Sequence, residues 1–371
     1  MQQYTSTVMN RYKNFNNDTL EYDLDVLNLT SWIKNVLIEH ISEVTSETDL
    51  LQLHTIISGP DIKRVQEKVY ESFDTTEFRV QINKFYNIYI EPLLDHHEYM
   101  VQRLPNLRIV IPNQKDMHQK LQFHQGIWVG NGTGVRTVWM PVTKTQNTNS
   151  MYVLDLDDSR RITQQTITDK LDYESFEKLA LKCAKPVNLS PGQCHLFNQE
   201  IIHGNVNNIE NVTRISVDMR ILLKGQPMGK KYPGGYFREL SESHLPEKCN
   251  KTYDHVITYA GWNSNLTRNI PLHIQRNSIK PYCVKNNITI TENVMEHDTL
   301  DWCPNIDEFI QPGLEAIIML SIYALPEDIV DRRRIYNTAI NNKTEVHFAN
   351  EELILSTKED IEKIERIRNF S

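Results

Sequence analysis

The chain has 371 residues, more than one typical hydrophobic core organises, so one large domain plus a smaller one is the natural expectation. Its 39% hydrophobic and 24% charged content is that of a soluble globular protein, and a formal charge of -8 without a long basic run argues against nucleic acid as a partner. Five scattered cysteines, Cys183, Cys194, Cys249, Cys283 and Cys303, form no C-x-x-C pair, which fits a reducing cytoplasm and offers no zinc or redox motif.

The opening residues, MQQYTSTVMNRYKNFNNDTL, lack the basic-then-apolar order of a signal peptide. Residues 1 to about 100 read as mainly helical. Leu27 to Ile41 is one helix candidate, Pro60-Asp61-Ile62 starts another with Val65, Val69 and Phe73 on its apolar side, and Gln81 to Met100 continues in helical style. These helices are expected to brace a sheet.

At Leu107 to Pro112 the character changes to a β-branched run, and from there to about 224 the chain reads as successive short strands: Gly134 to Pro141, Ser150 to Leu154 and Gln193 to Phe197. Val212 to Leu223 alternates, with Arg214, Ser216, Asp218 and Arg220 on one face and Ile215, Val217, Met219 and Ile221 on the other, the pattern of a half-buried strand with a polar lumen face. The expected fold is a mainly β, double-stranded β-helix, a cupin-like jelly roll with its core at about 100–224, inside a first domain of 1–230 with N-terminal helical support.

Residues 231–252, rich in Gly and Pro among Lys and Glu, read as a linker. Beyond them β and α alternate: His255 to Ala260, helix Ile270 to Lys285, Ile288 to Asn293, Leu314 to Tyr323, a proline-opened helix Pro326 to Asn341, Thr344 to Phe348, and a final helix Lys358 to Phe370. This order predicts a small three-layer α/β domain at 253–371 with a largely parallel sheet. The most apolar run, Ala316 to Leu325, is about half the length of a membrane span.

The chemistry concentrates in Phe123 to Asn131, in His203-Gly204-Asn205, and in Arg214-Ile215-Ser216. Neutral imidazole suits borderline divalent metals, so His124 and His203 on separate strands are the candidate metal ligands. Arg214, at strand spacing from His203, can grip a carboxylate bidentately, and Ser216 points to the same face. Together they predict an iron site with a clamp for an oxo-acid cosubstrate. Gln125 should face away from His124, and His195, without a following Gly-Asn turn, reads as structural. Trp128 is as much a candidate for substrate stacking as for packing, whereas Trp139 favours packing; Asn131, Thr148 and Asn149 are further candidates for contact with cosubstrate or substrate.

On Phe123 to Ser150, Pro191-Gly192-Gln193, His203-Gly204-Asn205 and Arg214-Ile215-Ser216, residues 100 to 224 resemble the phytanoyl-CoA-hydroxylase-like iron(II)/2-oxoglutarate oxygenases. The closer resemblance is to the oxygenases of sporadic carbohydrate biosynthesis clusters. It implies Fe(II), 2-oxoglutarate and O2, with His124 and His203 as iron ligands, Arg214 on the distal carboxylate, Ser216 its helper and Asn205 a supporting residue beside the ligands. Its implied reaction is oxidation, above all hydroxylation, of a C–H bond in a sugar-derived small molecule. The stretch 253 to 369 is similar to the companion protein of the same clusters, on Tyr259 to Trp262, Pro271 to Gln275, Ser321 to Pro326 and Arg332 to Arg334. Its element order also resembles a serine-recombinase catalytic domain, although Asn263 stands where the nucleophilic serine is expected. Arg332 to Arg334 read as a solvated helix face or as an anion patch.

Members of this family mostly carry Asp or Glu two residues after the first His; here Gly126 stands there. Three explanations compete: a halide or water in a vacant position, a carboxylate from elsewhere, or loss of activity. The 2-oxoglutarate-dependent halogenases resemble this chain at that position, and a glycine supplies the space that chloride needs, whereas an Asp there should reach the metal. Halogenation and a non-catalytic cupin-like binding protein are therefore the alternatives to hydroxylation.

Overall fold

The computed structural model describes residues 15–57, 59–94, 97–113, 122–241, 251–261, 270–295 and 306–370. Cys249, Cys303, Trp262 and Asn263 lie outside these residues. The described residues divide into two compact units, 15–232 with 236–241, and 251–370 with 233–235. Among them no helix is long and apolar enough to cross a membrane, and Cys183, Cys194 and Cys283 are free thiols.

The larger unit begins with a strand, β1 (Asn16–Glu21), where helix was expected. Helices follow at Leu29–His40, Gly59–Phe73 and Thr76–Phe85, the first capped by the Asn28 side chain on Ser31 N and the third by Thr75 on Phe78 N. The helical run predicted up to Met100 stops earlier, passing through a π turn at Tyr86–Ile90 and a 3-10 turn at Glu91–Leu94. Pro92 cannot donate the next helical hydrogen bond, and Tyr99 and Met100 join β2 (Tyr99–Gln102).

Strands β3 (Asn106–Val110), β4 (Val135–Pro141), β5 (Tyr152–Val153), β6 (Lys185–Pro186), β7 (Gln193–Asn198), β8 (His203–Gly204), β9 (Arg214–Leu223) and β10 (Phe237–Arg238) complete two antiparallel sheets. The large one runs β1-β7-β4-β9-β2-β10 with β3 also on β9, and the small one runs β6-β5-β8. Trp139 and Phe197 of the large sheet pack on Met151, Val153 and Ile201 from the side of the small one. On the opposite face Val138, Leu196, Ile215, Val217, Met219 and Ile221 join Ile33, Val65, Val69 and Phe85 of the helices in one core. Each such aliphatic or aromatic side chain, fully buried, contributes about 1.5 to 3 kcal/mol, so this face fixes the large sheet against its helical brace.

Two elements depart from the expected run of strands. Helices Leu156–Asp169 and Tyr173–Cys183 lie between β5 and β6, capped by Asp155 on Asp158 N and Asp172 on Ser175 N. They bury Ile162, Phe176 and Ala180 against Phe123, Leu154 and Ile202, and so anchor the residues that immediately precede His124 and His203. The expected linker is also shorter than predicted, because Phe237 and Arg238 add to the large sheet as β10, with the Arg238 guanidinium donating to Asn83.

The smaller unit holds β11 (Val256–Ala260), β12 (Glu292–Met295), β13 (Ala316–Met319), β14 (Glu345–Phe348) and β15 (Leu353–Leu355) in the order β12-β11-β13-β14-β15. The first four are parallel, as the sequence pattern predicts, and β15 is antiparallel to β14. Helices at Leu272–Lys285, Ile329–Asn342 and Lys358–Arg368 alternate with them. The strand expected at Ile288 to Asn293 is displaced to Glu292–Met295, and Asp328 rather than Pro326 opens the second helix, its carboxylate accepting from Val330 N and Asp331 N. Arg332 is neither solvated nor an anion receptor. It is buried and pairs twice with Glu365, at 2.7 Å for both contacts, while its Nη1 serves the carbonyls of Pro326 and Glu327.

Candidate metal and oxo-acid site

His124 and His203 face each other in an isolated antiparallel bridge and exchange both backbone bonds, His124 N to His203 O at 2.9 Å and His203 N to His124 O at 3.0 Å. Residues paired in this way project from the same face, and the two rings lie 4.4 Å apart between centroids. Each Nδ1 meets a main-chain carbonyl, Gln122 O at 2.7 Å and Ile201 O at 3.0 Å. That contact holds the proton on Nδ1 and leaves Nε2 as the free lone pair. Burial lowers the pKa of both rings; His203, disfavoured further by His124 and Arg220, falls to about 3. Both are therefore neutral at physiological pH. Gly204 permits the bridge, since a Cβ there would stand 2.7 Å from Phe123 Cα.

Two neutral imidazoles with Nε2 atoms on one face fit a divalent ion such as iron(II). Among the described residues no group of three His, Cys, Asp or Glu gathers for a metal. Asp218 lines the same pocket, but its carboxylate is engaged by Arg220 at 2.8 Å and Asn106 at 2.8 Å.

The pocket lies between the two sheets, walled by Thr137, Trp139 and Phe197 on one side and Met151 and Asn205 on the other, with a cavity volume of about 60 Å³. Arg214 lines it while only 2% exposed. Its Nη1 donates to Asn205 Oδ1 and, at 3.4 Å, to the Asn149 carbonyl, whereas Nε has no partner. Ser216 Oγ, on the same face of β9, is also buried without a partner. Burial, with Arg108 nearby, pulls the guanidinium down to about 9, and among the described residues no carboxylate forms an ion pair with it. A buried cation with a spare N–H beside a spare hydroxyl is a receptor for a carboxylate, because both unsatisfied groups cost free energy until one arrives.

The remaining sequence candidates divide. Asn205 joins Arg214 in the pocket, and Asn149 contributes its carbonyl while its side chain caps Gln146 N. Trp128 does not line the pocket: it is 46% exposed and packs on Phe176 at 5.1 Å. Trp139, expected to serve packing, forms pocket wall and core at once. Gln125 turns its amide to the Glu200 carbonyl, Thr148 bonds Glu210, and His195 bonds Asn17 away from the pocket. Arg108, Asp218 and Arg220 are pocket residues to which the sequence alone assigned no role, although the alternation of β9 places the last two beside Arg214.

Gly126 corrects an expectation. The room beside it is not open, because a Cβ on Gly126 would lie 1.9 Å from Gln199 Oε1 and 2.8 Å from its Cδ. Gln199 is buried, accepts from Asn131 Nδ2 at 2.7 Å and donates to Thr137 Oγ1 at 2.8 Å. The absent acid side chain is thus replaced in space by a neutral carboxamide, and Asn131 holds that carboxamide instead of reaching the pocket.

No family model matches the chain, and no curated protein matches it. Among solved structures it is similar to the non-heme monooxygenase ThoJ in its nickel complex, at 13% identity over 64% of this chain and 85% of that one, with a TM-score of 0.33. EctD from S. alaskensis with 2-oxoglutarate and 5-hydroxyectoine gives 11% identity over 60% and 77%, with a TM-score of 0.36. The N-terminal catalytic domain of TP901-1 integrase matches 31% of this chain and 91% of its own at 10% identity and a TM-score of 0.26. Likenesses at this level do not define a function for the chain, which rests on the geometry of the pocket.

Proposed function

We propose that the larger unit is an iron(II)- and 2-oxoglutarate-dependent oxygenase of double-stranded β-helix type that hydroxylates a C–H bond of a sugar-derived small molecule. One observation supports this above the rest: two neutral imidazoles and a buried guanidinium with a spare N–H open on the same pocket. Iron(II) bound there would supply activation of O2 coupled to decarboxylation of 2-oxoglutarate. His124 and His203 would hold the ion through Nε2, their Nδ1 protons fixed by the carbonyls of Gln122 and Ile201. Arg214 and Ser216 would bind the distal carboxylate, with Asn205 orienting the guanidinium. Trp139, Phe197 and Met151 exclude water from the reacting carbon and so favour transfer to substrate over side reactions.

Hydroxylation is placed ahead of halogenation because the room that the halogenase reading assigns to Gly126 is taken up, at the Cβ position, by Gln199. The carbohydrate character of the substrate rests on the resemblance alone, as does the reading of the smaller unit as a companion domain of resolvase-like or Rossmann-like order. Succinate release under oxygen, dependent on added iron(II) and 2-oxoglutarate, is the test. His124→Ala and His203→Ala should each lose both turnover and iron binding. Unchanged iron affinity in both variants overturns the assignment.

A further inference from the structure

We propose a second anion subsite at the Arg220 end of the pocket, separate from Arg214, in which the pocket residues Arg108 and Arg220, with Lys231 beside them across Tyr236, receive a phosphate-type group of the substrate. This names a substrate class for the oxygenase reading and rests on it. Arg220 stands six residues beyond Arg214 on the same face of β9, so their Cα atoms are about 20 Å apart along the strand. An oxo-acid spanning Arg214 and the two imidazoles leaves Arg220 with its Asp218 partner and no ligand anion.

The cations around Arg220 outnumber the acids. Its Nη1 reaches Asp218 Oδ1 at 2.8 Å and Tyr236 Oη at 3.3 Å, while its Nε is buried without a partner. Arg108, on β3 opposite Ser216, brings Nε to 3.8 Å from Asp218 Oδ2 with its side chain 45% exposed. Lys231 Nζ lies 3.5 Å from Tyr236 Oη and 4.6 Å over the Tyr236 ring. Burial above all, and then the neighbouring Arg220, hold its ammonium down to about 8. Among the described residues Asp218 pairs with Arg108 and Arg220 and no carboxylate pairs with Lys231, so three cations face one acid, an excess of two positive charges.

That excess and its layout select the ligand. A phosphate monoester carries a charge of about -1.5 to -2 near neutral pH with three acceptor oxygens. The donors come from three separate segments, β3, β9 and the stretch before β10, and three donor groups match the three acceptor oxygens of a phosphate better than the two of a carboxylate.

The test is calorimetric titration of inorganic phosphate into the full chain loaded with one equivalent of nickel(II), desalted and saturated with 2-oxoglutarate. Phosphate should bind without displacing 2-oxoglutarate, and Arg108→Gln and Lys231→Gln, both at partly exposed positions, should each weaken it at least about tenfold. Acetate should bind at least about tenfold more weakly than phosphate, and Arg214→Gln should weaken 2-oxoglutarate while sparing phosphate. Absence of phosphate binding, competition with 2-oxoglutarate, equal affinity for acetate, or unchanged affinity in both Gln variants would each overturn the subsite. If 2-oxoglutarate fails to bind but phosphate binding persists and needs Arg108 and Lys231, the subsite stands and the oxygenase reading falls.

Discussion

Placing an acid at position 126 is the perturbation that bears most directly on this site. Gly126 does not occupy the left-handed region, so Gly126→Asp meets no backbone penalty; the obstacle is Gln199, whose Oε1 lies 1.9 Å from the new Cβ. The carboxamide has to leave, which breaks its bonds to Asn131 and Thr137 at 2.7 and 2.8 Å. Each buried partner left unsatisfied costs about 1 to 3 kcal/mol, so Gly126→Asp should destabilise the larger unit by roughly 2 to 6 kcal/mol. For a unit of this size that is a fall in Tm of about 4 to 24 °C. The double variant Gly126→Asp/Gln199→Ala should recover part of the loss and bind a divalent ion more tightly than the wild type, while Gly126→Asp alone should not. Thermal unfolding and metal titration of the wild type and the two variants measure both. If Gly126→Asp is as stable as the wild type and gains metal affinity, the space beside Gly126 is open and the case against a halide collapses.

Arg214→Ala should raise the 2-oxoglutarate requirement of succinate release by at least about thirtyfold, the lower end of the roughly 2 to 5 kcal/mol that loss of one buried charged contact costs, with iron binding retained. Gly204→Ala forces a Cβ to 2.7 Å from Phe123 Cα, so the bridge between His124 and His203 should open; the expected result is a loss of metal affinity together with about 2 kcal/mol or more of stability, read by metal titration and urea unfolding. Burial holds His195 down to about 4 against an ordinary value of 6.5. The unfolded chain therefore binds more protons in that window, and the contribution of His195 is complete above pH 6.5 and lost as pH falls through about 4. In His195→Gln the dependence of stability on pH over this range should flatten by up to about 1.4 kcal/mol per pH unit, and an unchanged slope in urea titrations would contradict it.

What the sequence made legible was whatever repeats at short range. The alternation of Arg214, Ser216, Asp218 and Arg220 against Ile215, Val217, Met219 and Ile221 survives in β9, because one face meets the pocket and the other the helical core. Most of the parallel order of the smaller unit was legible for the same reason, β11 and β13 being buried throughout and β14 from Val346 to Phe348. β1 was not: Asn16-Asn17-Asp18-Thr19 is poor strand sequence, and it becomes one by pairing with β7, far along the chain. The helices Leu156–Asp169 and Tyr173–Cys183 did leave a signal, an Asp cap ahead of each, that the surrounding run of strands obscured. Nothing near Gly126 announces Gln199, because that contact is made in three dimensions by residues from separate segments.

The division of labour on β9 has a consequence for how this protein can diversify. Substitutions at every second position alter what the cavity admits, while the intervening apolar positions keep the hydrophobic contacts of the large sheet unchanged. Selection can thus rewrite recognition along a single strand in steps of two residues with little penalty in folding. An insertion or deletion of one residue would exchange the two faces at once, turning guanidinium groups into the apolar core. Among descendants of this sequence, β9 should accordingly vary in residue type at 218 and 220, keep 214 and 216, and stay invariant in length.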